Sequence, residues 1–262
     1  MRTRRCQENS SLTLLRGERI NVFRIHPIGY VPLDRPGPVT GSAFFISRRV
    51  MNRAACYVDG FNLYHAIDNL DKPHLKWVDL WALAESLIYP NETLVSVNYF
   101  SAYATWLPAN HARHRKYVKG LECHGVKAFM AHFKSKQRKC RGCQRTWIDH
   151  EEKETDVHIA LRVLADAVDD VFDRAILISA DSDLVPVLSL LKSRYPKKQI
   201  LVATPPGRYS IGRDILQHAH SGIEITKGRI AKCLLPGEIY GADGKVIVTR
   251  PKNYDPPETA AI

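Results

Sequence analysis

No apolar run in the 262 residues reaches the roughly 18–20 needed to span a bilayer. The stretch 168–187 is interrupted by Asp169, Asp170, Asp173, Arg174, Asp181 and Asp183. The N-terminus has arginines but lacks a clean apolar segment followed by a small-residue cleavage site, so it does not read as a signal peptide. Cysteine is sparse and scattered, at Cys6, Cys56, Cys123, Cys140, Cys143 and Cys233, and only Cys140 and Cys143 are neighbours in sequence. That excludes the dense disulfide framework of a small secreted domain and leaves reduced thiols. No internal repeat is present. These absences predict a soluble, cytoplasmic protein with no membrane partner, and they leave the oligomeric state open, a homodimer included.

What is present is ordinary globular composition, 45% hydrophobic and 25% charged, in a chain long enough for one substantial core. The net charge of +11 suggests an anionic partner. Residues 1–50, however, hold nine Arg against three Asp or Glu, so about half of the excess lies there. That segment carries Pro27, Pro32, Pro36 and Pro38 and no sustained period, which predicts a poorly ordered extension, with Met51 as the expected true start.

From Ala54 the pattern becomes regular. Strands are expected at 54–58, 93–103, 126–133, 174–179, 199–203 and 222–225. Helices are expected at 62–70, from Asp79 to about Tyr89, at 108–124, 154–171, 183–195 and 211–220. The helix at 154–171 is amphipathic, with Ile159, Leu161, Val163, Leu164 and Val168 as its buried side. Alternating strands and helices imply an α/β fold, a mainly parallel sheet flanked by helices on both faces. The expected domain spans 51–227, and the Pro- and Gly-containing segment 228–262 reads as a tail.

In such sheets ligands bind beyond the carboxyl ends of the strands. Two strands end in acids there: Asp59 after the first, and Asp181 and Asp183 after the strand at 174–179. Asp156 lies in the first turn of the helix beginning near Glu154. Single acids at helix starts are favoured by the helix dipole and need no function. A converging set repels itself unless a cation neutralises it. Carboxylates without Cys or His suit Mg²⁺ or Mn²⁺. Two such ions about 3.5–4 Å apart are able to activate water and stabilise a leaving oxygen.

Three segments carry a resemblance. Tyr57-Val-Asp-Gly-Phe-Asn-Leu-Tyr64, Glu152-Lys-Glu-Thr-Asp-Val-His-Ile-Ala160 and Ile176-Leu-Ile-Ser-Ala-Asp-Ser-Asp-Leu184 resemble, in order, the three motifs of the NYN family. That family is a branch of the PIN-like nucleases, with a Rossmann-like three-layer fold. The resemblance implies a metal-dependent ribonuclease with Asp59, Asp156, Asp181 and Asp183 as metal-binding catalytic acids. It implies Asn62 and Ser179 as polar neighbours that order the site or its water. The alternatives are a catalytically idle RNA-binding or regulatory module and a DxD-type glycosyltransferase using Asp181 and Asp183. The latter leaves Asp59 and Asp156 unexplained.

Cys140-Arg-Gly-Cys143 reads either as half of a zinc site or as an inert reduced turn. It lies in a segment, about 133–147, expected as an insertion. Completing zinc ligands would come from His132, His150, Cys123 or His124, none at diagnostic spacing. Lys134, Lys136, Arg138, Lys139, Arg141 and Arg145 surround the pair, with Phe133 and Trp147 flanking. They are candidate contacts for a nucleic-acid backbone and its bases.

Overall fold

The computed structural model describes residues 52–257; expectations for residues 1–50 fall outside them. The central strand β1 (Asn52–Asp59) pairs in parallel with β2 (Glu92–Ala102) on one side and β5 (Arg174–Ile178) on the other. The sheet continues outward through β3 (Lys127–Lys139) and β4 (Thr146–Lys153) beyond β2, and through β6 (Gln199–Thr204) and β7 (Ser221–Glu224) beyond β5. Only the β3–β4 pairing in this seven-stranded sheet is antiparallel. Ala54–Val58 and Arg174–Ile178 are buried throughout, as strands covered on both faces must be.

One face is covered by α1 (Gly60–Asp68), α2 (Leu80–Glu85) and α3 (Pro108–Cys123). They insert Leu63, Ile67, Leu80, Leu83, Val118 and Leu121 against Cys56, Val58 and Val97. The other face is covered by α4 (Thr155–Val168), α5 (Val185–Arg194) and α6 (Arg213–Gln217). There Ile159, Val163, Leu188, Leu191 and Ile215 meet Tyr57, Leu177 and Val202. The α/β three-layer expectation therefore holds. The chain moves one way from β1 into β2 and β3, then crosses over to β5 on the opposite side of β1. The carboxyl ends of β1 and β5 thus form a topological switch point, where open α/β sheets place their ligand crevice.

Four expectations need correction. The segment after Gly228 is not a tail: α7 (Lys227–Ala231) and the hairpin β8 (Glu238–Tyr240) with β9 (Val246–Thr249) bury Ile230, Leu235, Ile239 and Val248 in the first core layer. Pro236 is used rather than avoided, its carbonyl accepting from Trp77 Nε1 at 2.9 Å. The strand expected at 126–133 runs on as β3 to Lys139 and returns as β4, so the segment 133–147 expected as an insertion forms the far end of an extended ribbon. On α4 the buried side is Ile159, Val163 and Ala167, whereas Leu161 and Val168 are 60% and 63% exposed, because the helix leans on the sheet along a narrower stripe. The helix expected from Asp183 begins only at Val185, after a 3₁₀ turn over Ser182–Leu184. Among the described residues no helix is long and apolar enough to cross a membrane.

Candidate functional site

Asp59 is the last residue of β1 and the cap of α1, its Oδ1 accepting from the Asn62 amide at 3.0 Å. Asp181 follows β5 and caps the 3₁₀ turn, accepting from the Asp183 amide at 2.9 Å. Asp156 sits in the first turn of α4. The three carboxylates converge, with one oxygen of each within 4.8 Å of the others. Asp59 and Asp181 each accept an amide from the turn they cap, which partly offsets the concentrated negative charge.

The offset is incomplete. Burial pushes the Asp59 carboxyl up to about 6, against the lowering effect of the Asn62 amide and the Ser179 hydroxyl, with repulsion from Asp181 and Glu152 added. Asp156 is likewise pushed up to about 6, first by desolvation and then by the charges of Asp59, Asp181, Glu152 and Asp183. A donor set made only of carboxylate oxygens, crowded enough to hold protons this tightly, fits a hard divalent cation.

Asn62 and Ser179 stand where the sequence placed them. Ser179 Oγ donates to Asp59 Oδ2 at 2.8 Å and accepts from the Asp181 amide at 3.1 Å. Asn62 Oδ1 accepts from the Ala180 amide at 3.2 Å. Asp183 differs from the other acids: it is exposed and lies outside the converging three, although its charge reaches Asp156. Asp181 and Asp183 therefore do not converge as a pair, whereas Asp59 and Asp156, which the glycosyltransferase alternative leaves unexplained, do join Asp181. Sequence reading missed Glu152. It caps α4 by accepting from the Thr155 amide at 3.1 Å, and its charge reaches both Asp59 and Asp156. The signal was a Glu three residues ahead of a Thr at a helix start. Glu154, between them, adopts φ +78°, a left-handed turn from β4 into α4.

Cys140 and Cys143 occupy the tip of the β3–β4 ribbon, where the Cys140 amide donates to Arg145 O at 2.8 Å. Among the described residues no third ligand joins them. His150 is stacked on Trp106 at 3.7 Å, His124 is bonded to Asp79 at 2.8 Å and His132 lies 3.3 Å from Glu154. Among the described residues, therefore, a closed zinc site is not assembled.

The basic cluster also looks different in three dimensions. Lys134 and Lys136 face Glu151 and Asp149 across the ribbon, and Arg138 is paired with Asp149 at 3.1 Å. These three cations share one ribbon face, partly neutralised, while Phe133 and Glu152 occupy the other. Lys139, Arg141 and Arg145 are exposed at and beside the tip. Phe133 makes edge contacts with Phe61 at 5.5 Å and Trp106 at 4.7 Å, tying the ribbon to the start of α1. A second basic surface was not singled out from sequence: α3 carries Arg113, Arg115, Lys116 and Lys119 before its only acid, Glu122.

The pattern of the NYN domain family matches residues 53–221. A curated relative, the 6-hydroxy-3-succinoylpyridine 3-monooxygenase of Pseudomonas putida, is 25% identical over 228 aligned residues, covering 72% of each chain. A solved structure of a Vibrio parahaemolyticus protein of unknown function is 21% identical, with a TM-score of 0.46 over 68% of this chain and 94% of that one.

Proposed function

The chain belongs to the NYN domain family, a PIN-like nuclease family, and from that membership we propose that it is a metal-dependent hydrolase of phosphodiester bonds in RNA. The observation that carries this reading is the convergence of Asp59, Asp156 and Asp181 at the switch point of the sheet. These three residues would hold Mg²⁺ or Mn²⁺. When bound, such a cation neutralises charge on the phosphate and leaving oxygen and makes water more acidic.

The chain's own residues do the positioning. Ser179 and Asn62 clamp Asp59 and the backbone of the Asp181 loop in one arrangement, so little reorganisation is needed when substrate arrives. Asp183, exposed at the edge of the cluster, is free to orient the attacking water and accept its proton. Lys139, Arg141 and Arg145 at the ribbon tip and the cations of α3 are the proposed backbone contacts. Lys134, Lys136 and Arg138 contribute less, because their acidic neighbours already offset them. Zinc at Cys140 and Cys143 would need a ligand from outside the described residues and has no part in this chemistry. We take the setting to be cytoplasmic.

The test is cleavage of labelled RNA and DNA by purified full-length protein with Mg²⁺, Mn²⁺ or EDTA. RNA is expected to be cut in either metal, with activity lost in EDTA and in Asp59→Asn. Equal cleavage by wild type and Asp59→Asn would mean the activity belongs to a contaminant. RNA binding without turnover in either metal would favour an idle binding module.

A further inference from the structure

Next to the carboxylates lies a cavity that the metal chemistry leaves unused. Open on one side to solvent, it offers about 150 Å³ between α1, α3 and the end of β2, and Gly60 and Phe61, which follow Asp59 directly, line it. Its walls include the rings of Tyr64, Tyr99, Tyr117 and Tyr254. Gly60 lets one wall stand this close: a Cβ there would lie 2.5 Å from Phe100 O and 2.6 Å from the Tyr99 ring. The cavity thus shares its first residue with the N-terminus of the helix that Asp59 caps.

The polar groups are few. Arg113 brings positive charge and donates from Nη2 to Asn110 Oδ1 at 2.6 Å, which leaves the Asn110 Nδ2 as a donor; Lys76 is paired with Asp68, and His114 brings an imidazole. Burial lowers His114 to about 4, so its ring is neutral, and it is hydrogen-bonded to Tyr99 Oη at 3.0 Å. Aromatic walls with a positive rim, beside a site built for phosphate, match a flat ring joined to an anionic backbone. Size narrows the choice. Drug-sized ligands occupy about 300–1,000 Å³, whereas roughly 150 Å³ suits one benzene-sized ring.

Resting on the nuclease reading above, we propose that this cavity is a base-recognition pocket that takes one pyrimidine base of the strand whose phosphate lies at the Asp59 cluster. The ring stacks among the tyrosines, Asn110 reads its polar edge, and the fused second ring of a purine does not fit. The pocket would then decide where an otherwise sequence-blind acidic site cuts.

The experiment titrates full-length protein with UMP, CMP, AMP and GMP by calorimetry and maps cleavage positions on an RNA of mixed sequence. UMP and CMP are expected to bind at least about tenfold more tightly than AMP and GMP, and cuts are expected beside pyrimidines. Tyr64→Ala and Asn110→Ala are each expected to weaken pyrimidine binding by about tenfold, the scale of one lost base-stacking or edge contact. Both positions are exposed, so folding is not at stake. Equal binding of the four nucleotides, no binding, or a preference unchanged in both variants overturns the pocket. Cleavage without base preference would sink the pocket and leave the nuclease reading standing. Selective pyrimidine binding without cleavage in any metal would do the reverse.

Discussion

The hydroxyl of Ser179 donates to Asp59 Oδ2 at 2.8 Å while its oxygen accepts the Asp181 amide at 3.1 Å. One side chain from the end of β5 thereby sets the distance between two acids that belong to different strands. It also holds down a carboxyl that burial raises. Ser179→Ala is expected to raise Asp59 further and to weaken Mn²⁺ binding by about 10–100-fold, the usual loss when a group supporting a ligand is removed. The stability change should stay near 1 kcal/mol, that of one hydrogen bond. A Mn²⁺ titration beside a urea melt checks both. Unchanged affinity would show that Ser179 is only structural.

Replacing one acid should separate function from stability. Asp156→Asn is expected to abolish cleavage by removing a proposed ligand. In metal-free protein it is expected to raise the melting temperature, because it relieves repulsion from Asp59, Asp181 and Glu152. Melting curves with EDTA and with Mn²⁺ decide the matter: the variant should gain less from metal than wild type does.

The same carboxylates give a pH dependence with a definite sign. Asp59 and Asp156 have folded pKa values of about 6, above the ordinary 3.8. Between about pH 4 and 6 the metal-free fold therefore holds more protons than the unfolded chain, and stability falls as pH rises through that window. For Asp59, which is almost fully buried, the effect is on the order of 3 kcal/mol. Asp170 and Asp173, held low by their hydrogen bonds to Lys198 and Arg53, act in the opposite sense, at lower pH. The signature is a difference: wild type minus Asp59→Asn in melting temperature should decline from about pH 4 to 6 and then level. A flat difference would rule out a raised Asp59.

Backbone binding distinguishes the two basic surfaces. Each phosphate contact on a single strand contributes a slope of about −0.7 to the dependence of log affinity on log salt. Lys116→Gln with Lys119→Gln should reduce the magnitude of the slope by about 1.4, two contacts' worth, whereas Lys134→Gln with Lys136→Gln should change it less. Binding of a labelled RNA to Asp59→Asn protein across a salt series tests this. The reverse order would restore the ribbon face as the main contact.

Legibility from sequence followed burial. Ala54–Val58 and Ala175–Ile178 are buried on both faces and announce themselves as continuous apolar runs. The rule that ligands lie beyond the carboxyl ends of strands made Asp59 and Asp181 candidates for one site. The pairing of β1 with β5, which the sequence does not record, is what brings them together. Strand β4 was illegible because Thr146–Lys153 has no apolar/polar alternation: its two apolar residues, Trp147 and Ile148, are adjacent and both exposed, and Asp149, Glu151, Glu152 and Lys153 follow. The segment carrying β8 and β9 was missed because its strands are three and four residues long, each burying one side chain, Ile239 or Val248. Asp183 was grouped with the other acids because spacing records that two carboxylates are close in sequence. It does not record that the intervening 3₁₀ turn sends the second one outward.

At the opposite end of the sheet, a buried ion pair fixes the frame on which the acids sit. Arg174 Nε donates to Glu92 Oε1 at 2.7 Å, its Nη2 bonds both Glu92 Oε2 and Leu87 O, and the guanidinium lies 4.4 Å from the centre of the Tyr89 ring. Both residues are buried, and Nη1 of Arg174 has no partner. Such a pair stabilises little relative to apolar residues of similar volume, yet losing one member strands a charge in a dry environment. Glu92→Ala is therefore expected to cost about 3–5 kcal/mol, whereas Glu92→Leu combined with Arg174→Met should cost far less than Glu92→Ala alone. Chemical denaturation of the wild type and both variants gives the comparison. The pair joins the starts of β2 and β5 across β1, so cleavage by the folded double variant should match wild type. A double variant as unstable as Glu92→Ala would mean that the pair specifies the register of β1 with its neighbours, beyond satisfying its own charges.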